Sequence, residues 1–117
     1  MITRFKMTRD INGFNGFGRK FSNTNYQALL SGNVIDTLVI PPTQDATYTN
    51  IFAIFNYQPG SPVWVSINNT VAIPTGSFTQ VTAELNPEAL YLKSGDSVSF
   101  ITSDATCEVG VALYAVA

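Results

Sequence analysis

The stretch Tyr48 to Asn69, YTNIFAIFNYQPGSPVWVSINN, decides the fold. Its first half, Tyr48 to Tyr57, is aromatic and aliphatic and carries no charge. Such side chains pack well on a pleated surface, so the run reads as a strand. Gln58-Pro59-Gly60-Ser61-Pro62 ends it, because Pro presets φ and Gly admits φ > 0, which together favour a tight turn. Val63-Trp64-Val65-Ser66-Ile67 then alternates with period two, as a strand with two unlike faces does. Asn68-Asn69 reads as a two-residue hairpin, since Asn tolerates the left-handed region.

The same punctuation continues outward. Val34 to Ile40 is β-branched and stops at Pro41-Pro42, which cannot continue a central strand. After the Asn pair, Thr70 to Ile73 reads as a short return strand closed by Pro74-Thr75-Gly76. Phe78 to Leu85 alternates, Asn86-Pro87-Glu88 turns, and Ala89 to Leu92 follows. Ser94-Gly95-Asp96 makes another tight turn before Val98 to Thr102 and Glu108 to Val116. Pro87 to Leu92 could open a helical turn, but Gly95 closes it too soon. About eight short strands with regular turn signals and no helical stripe predict an antiparallel β-sandwich or a small barrel.

Parity adds a constraint. Val109, Val111, Leu113 and Ala115 share one face of the last strand. The other face is Glu108, Gly110, Ala112, Tyr114 and Val116, mostly small or apolar. The central run behaves alike, with Phe52 and Ile54 opposite Ile51, Ala53, Phe55 and Tyr57. A sheet with one wet face would place polar residues in the second set. Both faces are therefore expected to be covered, one by the opposite sheet and the other by an arm, a long loop or another subunit.

Charge divides the chain. Of six cationic residues, five lie in the first twenty positions: Arg4, Lys6, Arg9, Arg19 and Lys20. Asp10 alone opposes them there, a net +4, whereas Lys93 faces seven acidic residues in the remainder, a net −6. The early segment also holds Gly13, Gly16 and Gly18, which loosen it, and Phe5, Phe14, Phe17 and Phe21, which are ill suited to water. Residues 1–32 are thus read as a basic, Gly/Phe-rich arm and residues 33–117 as the β body. The arm is expected to be flexible when free and packed when assembled. Arg4, Lys6, Arg9, Arg19 and Lys20 would make its charge contacts, and Phe14 and Phe17 its apolar anchors. Trp64, Tyr114 and Val116 are the candidates for a subunit interface. Deleting residues 2 to 20 is expected to leave a folded body that no longer attaches.

Composition argues against catalysis and metal binding. The 117 residues fit one domain, 45% hydrophobic and only 12% charged, against about 25% charged in a typical soluble domain. There is no His, so the commonest general base is missing. Lys93-Ser94 lies in a turn, and the pairs Glu84 with Glu88 and Asp96 with Asp104 read as solvated surface. No Asp-x-Asp-x-Asp run suits calcium, and no His/Cys set suits a transition metal. Gly13-x-x-Gly16-x-Gly18 has the wrong order for a dinucleotide loop. No catalytic residue, cofactor or metal is therefore expected. The single Cys107 rules out an intrachain disulfide and reads as a small core residue. Residues 1–20 lack the apolar core of a secretory leader, and no apolar run approaches bilayer length. Cationic and Phe residues interleaved in the arm could stack single-stranded nucleic acid. The acidic body, pI ≈ 4.7, would repel phosphate, so nucleic acid is not the expected partner. Trp64 points away from Val63 and Val65, as a sugar-stacking platform, an interface anchor or a half-buried ring.

The segment Asn33 to Ala117 resembles the small jelly-roll decoration, or cement, proteins of tailed bacteriophage heads. The residues that carry this are Val34-Ile35-Asp36-Thr37-Leu38-Val39-Ile40-Pro41, the run Tyr48 to Tyr57 leading to Val63-Trp64-Val65-Ser66-Ile67-Asn68, and Glu84-Leu85-Asn86-Pro87 with Val98 to Thr102 and Glu108 to Val111. The resemblance lies in architecture and turn placement over about 70% of the chain. It implies an all-β sandwich of jelly-roll type and a homo-dimer or homo-trimer on the outer surface of a capsid, made in the host cytoplasm. Its partner would be the major capsid protein, whose neighbouring subunits it would clamp. The alternative function is a carbohydrate- or receptor-binding module of a phage fibre, using Trp64, Tyr57 and nearby Asn or Asp side chains.

Overall fold

The computed structural model describes residues 2–4, 21–78 and 80–116. The described residues form eight strands: β1 (Asn25–Ser31), β2 (Asp36–Val39), β3 (Asn50–Tyr57), β4 (Val63–Ile67), β5 (Glu84–Leu85), β6 (Ala89–Lys93), β7 (Ser97–Thr102) and β8 (Thr106–Val116). Among them no helix is long and apolar enough to cross a membrane. Two antiparallel sheets of four strands face each other, in the orders β1-β8-β3-β6 and β2-β7-β4-β5. The pairings nest: β1 with β8, β2 with β7, β3 with β6, and β4 with β5. β8 also pairs with β3, and β7 with β4.

The inner faces meet in one core. Leu30, Ile51, Ala53, Phe55, Leu92, Cys107, Val109, Val111, Leu113 and Ala115 come from the first sheet, and Val63, Val65, Val98 and Phe100 from the second. Phe55 and Phe100 meet edge to face across the layers, with centroids 6.1 Å apart. Cys107 is a buried free thiol. Truncating a fully buried Leu113 to Ala would leave a cavity costing about 2–5 kcal/mol.

The turns follow the residues that permit them. Gly60 has φ 79°, and the Ser61 amide donates to the Gln58 carbonyl at 3.2 Å. Gly95 has φ 89°, and the Asp96 amide donates to the Lys93 carbonyl at 3.1 Å.

Three expectations are corrected. Residues 25–31, assigned to the arm on composition, form β1 and pair along their whole length with β8, so the body does not begin at residue 33. Asn68 is left-handed, with φ 57°, but it does not turn a hairpin. Its amide donates to the Ser97 carbonyl at 2.8 Å, and its side-chain oxygen accepts from the Ser97 amide at 2.9 Å. Those bonds dock the end of β4 on the start of β7, and Thr70 to Ile73 form no strand. Among the described residues of the alternation Phe78 to Leu85, only Glu84–Leu85 joins a ladder, with β4.

The expectation of two covered faces holds on the second half of β8, from Ala112 on. Directly paired residues share a face, so the outer face of the first sheet carries Ala112 and Tyr114 beside Ile54 and Phe52. Ala112 and Tyr114 are buried, while Phe52 and Ile54 are half-buried.

Candidate attachment surface

The beginning of the chain joins the body. Ile2 is 5% exposed and belongs to the core cluster. The Thr3 carbonyl accepts from the Ala115 amide at 2.8 Å, and Arg4 bridges to Ala115 in parallel. Thr3 and Asn23 are tied reciprocally. The Thr3 amide donates to Asn23 Oδ1 at 3.1 Å, and the Asn23 amide to Thr3 Oγ1 at 2.8 Å. Ser22, itself buried, donates its hydroxyl to the Leu113 carbonyl at 2.6 Å. These contacts continue the edge of the first sheet along β8 beyond β1.

Arg4 is therefore held on its own body. Its guanidinium lies 3.8 Å from Asp45 and 5.6 Å from the centroid of the Tyr48 ring. Asp45 is fixed in turn by amides, accepting from Thr47 at 2.9 Å and Tyr48 at 3.2 Å. Those two hydrogen bonds hold its carboxyl below the usual carboxylate range, with Arg4 adding to them and partial desolvation opposing. The arm contacts assigned to Lys6, Arg9, Phe14, Phe17, Arg19 and Lys20 lie outside the described residues.

The interface candidates separate. Tyr114 is fully buried and Val116 is 9% exposed within the single chain, so neither has area to offer a second copy. The outward parity of Val116 and Tyr114 concealed this, because parity reports direction and not cover. Trp64 is half-buried on the outer face of the second sheet, in register between Leu85 and Ile101. Tyr57 belongs to the other sheet. Its ring packs against the core and its hydroxyl donates to the Pro87 carbonyl at 2.6 Å. Burial, with Glu84 adding, raises the phenol above its ordinary range. Trp64 and Tyr57 thus lie in different sheets.

Other features come to the surface. Phe78, read as a strand residue, stands fully exposed at 107% in the loop between β4 and β5, with φ 48°. A bulky side chain held in the left-handed region and in water is an outlier on both counts. Phe21 is 90% exposed. The only sequence signal for Phe78 was its place after Pro74-Thr75-Gly76, a turn cluster that outweighs the alternation beyond it.

A trough of about 440 Å³ lies over β1, β8 and β3, lined by Gln27, Asn56, Gln58, Glu108 and Gly110 among others. Gln27, Gly110 and Asn56 are paired in a row on the outer face, and the missing side chain of Gly110 leaves the floor low. Among the described residues no three His, Cys, Asp or Glu side chains gather as a metal site.

No protein-family model, curated protein or solved structure matches this chain.

Proposed function

We propose that this chain is a structural protein that decorates and stabilises a phage capsid by bridging neighbouring coat subunits, and that its sandwich is a jelly roll. The observation that carries the proposal is the nested pairing, in which the first strand meets the last, the second the seventh, and so inward to β4 with β5. Eight strands folded as two Greek keys recur in viral capsid domains. They recur in lectins and other proteins too, so fold gives the architecture and the surface must supply the task. Here Phe78 and Phe21 offer large apolar rings to a partner, at about 1.5–3 kcal/mol each on burial. Lys6, Arg9, Arg19 and Lys20 supply charge contacts to an acidic or mixed coat. Many identical weak contacts around a shell add as avidity.

The test is co-sedimentation of the purified protein with purified expanded heads. Saturable binding in a fixed ratio to the coat subunit, weakened by Phe78→Ser, supports the reading. Absence of binding to heads defeats it. The trough over Gly110 favours a second reading, a carbohydrate- or receptor-binding module, since its amides and the Glu108 carboxylate can face hydroxyl groups. Glycan binding lost in Asn56→Ala, with none to heads, would select that reading instead.

A further inference from the structure

Four strands edge the two sheets among the described residues: β1, β6, β2 and β5. An edge strand presents unpaired amides and carbonyls, and natural sheets blunt such edges with charge, Pro or shortness. β6 ends in Lys93 and follows Pro87-Glu88. β5 is two residues long and contains Glu84. β2 is four residues long, holds Asp36, and runs into Pro41-Pro42. β1 has none of these guards. It is seven residues, Asn25-Tyr26-Gln27-Ala28-Leu29-Leu30-Ser31, without charge or Pro, and all but Leu30 are exposed.

The side of the sandwich next to β1 is also open. A cavity of about 180 Å³ lies between β1 and β2, lined by Tyr26, Ala28, Leu38, Phe100, Val109 and Val111 among others. Leu29 is 62% exposed and Tyr26 38%. An unguarded ladder and a gap into the core on one side mark this edge as a pairing surface.

We propose that β1 pairs with β1 of a second copy, antiparallel about a twofold axis at Ala28, so that two four-stranded sheets become one of eight. The sequence is self-complementary in that register. Ala28 faces its own mate, small against small. Gln27 faces Leu29, Tyr26 faces Leu30, and Asn25 faces Ser31. Centring on one residue keeps the inner and outer faces aligned across the junction, and a one-residue slip would not. No charges meet along this ladder, since β1 carries none. The axis also brings the two open cavities to the same seam. A ladder of seven residues spans about 23 Å, a small interface, so the dimer should be reversible. This inference does not depend on the capsid reading: a dimer that ignores heads, or a monomer that binds them, separates the two.

The experiment uses the full chain in sedimentation velocity over a wide concentration range, with two variants that share Leu29→Lys. Position 29 lies opposite Glu108 on β8, so a lysine is tolerated there within each chain. In Gln27→Lys/Leu29→Lys, like charges oppose at both symmetry-related pairs, and the dissociation constant should rise roughly tenfold or more. In Gln27→Glu/Leu29→Lys, opposite charges meet at the same two pairs, and dimerisation should return. Circular dichroism melts of both variants establish that each is folded. A wild-type protein that stays at the mass of one chain at the highest concentration overturns the proposal. So does a dimer indifferent to both variants, or one that Gln27→Glu/Leu29→Lys fails to restore.

Discussion

Ile2→Ala tests whether the first residues belong to the body. Ile2 is 5% exposed in the core cluster, so the substitution removes buried apolar atoms and leaves a void. Such truncations cost about 2–5 kcal/mol, depending on how far the site collapses. Residues 2–4 follow β8 through one main-chain hydrogen bond and one bridge and are otherwise tied by side chains, Thr3 to Asn23 and Arg4 to Asp45, so the segment can shift into the void and the lower end, about 2–3 kcal/mol, is expected. In a chain of 117 residues that lowers the thermal midpoint by about 8–12 °C and the urea midpoint by about 1 M. The assay is reversible unfolding of the full chain followed by circular dichroism, with Phe78→Ser as a control. Phe78 is fully exposed, so its substitution should stay within about 0.5 kcal/mol. An Ile2→Ala protein as stable as the Phe78→Ser protein would refute the reasoning, and a deletion of residues 2–20 would then again be expected to leave the body intact.

Asn86→Ala should destabilise more than Asn86→Gly. Asn86 Oδ1 accepts from the Val63 amide at 2.6 Å and its amide group donates to the Ser61 carbonyl at 3.1 Å, and its φ is 45°. Both variants lose the bonds, at about 1–3 kcal/mol, but only Ala keeps the left-handed strain, a further ~1 kcal/mol; equal losses in urea melts would remove the strain argument. Asp45 gives a pH signature. Its carboxyl is held below the usual carboxylate range by the Thr47 and Tyr48 amides, so its contribution is full above the unfolded value and fades as pH falls through the lower folded value. Asp45→Asn should therefore be less stable at neutral pH, with the two melting curves converging in acid; a gap constant with pH would contradict this. Tyr57→Phe removes the hydroxyl that reaches the Pro87 carbonyl, and the freed acceptor should cost about 1 kcal/mol in the same melts.

Local chemistry made part of this fold legible. Pro59-Gly60 and Ser94-Gly95 carry their backbone preference with them, so their turns were readable, and the inward parity of Ile51, Ala53, Phe55, Val109 and Val111 set the core. β1 was not legible. Tyr26-Gln27-Ala28-Leu29-Leu30 has no β-branched residue and no alternation, and it becomes a strand because the long β8 templates it. Asn68 shows the same limit from the other side. Its left-handed backbone was readable from its type, but its partners, Ser97 and Asp96, are distant in sequence. Phe78 misled because alternation describes a face only where a neighbouring strand supplies the ladder. The charged arm was read from composition, which cannot tell that Arg4 ends beside Asp45 or that Ile2 is buried.

Salt should separate the two associations proposed for this surface. Among the described residues, Arg4 and Lys93 stand against seven acidic side chains, so two bodies brought together at β1 carry like charge while the ladder between them carries none. Screening shortens that repulsion to about 8 Å at physiological ionic strength, and the apolar and main-chain contacts at the seam are little affected, so β1 pairing should tighten as salt is added. Attachment through Lys6, Arg9, Arg19 and Lys20 to an acidic coat has the opposite sign. It loses its steering as salt rises, and its on-rate falls before its lifetime does. A single salt titration with mass and head binding read in parallel should thus show the two curves running in opposite directions. If both weakened together, the seam would have to be electrostatic, and the uncharged β1 edge would be the wrong place for it.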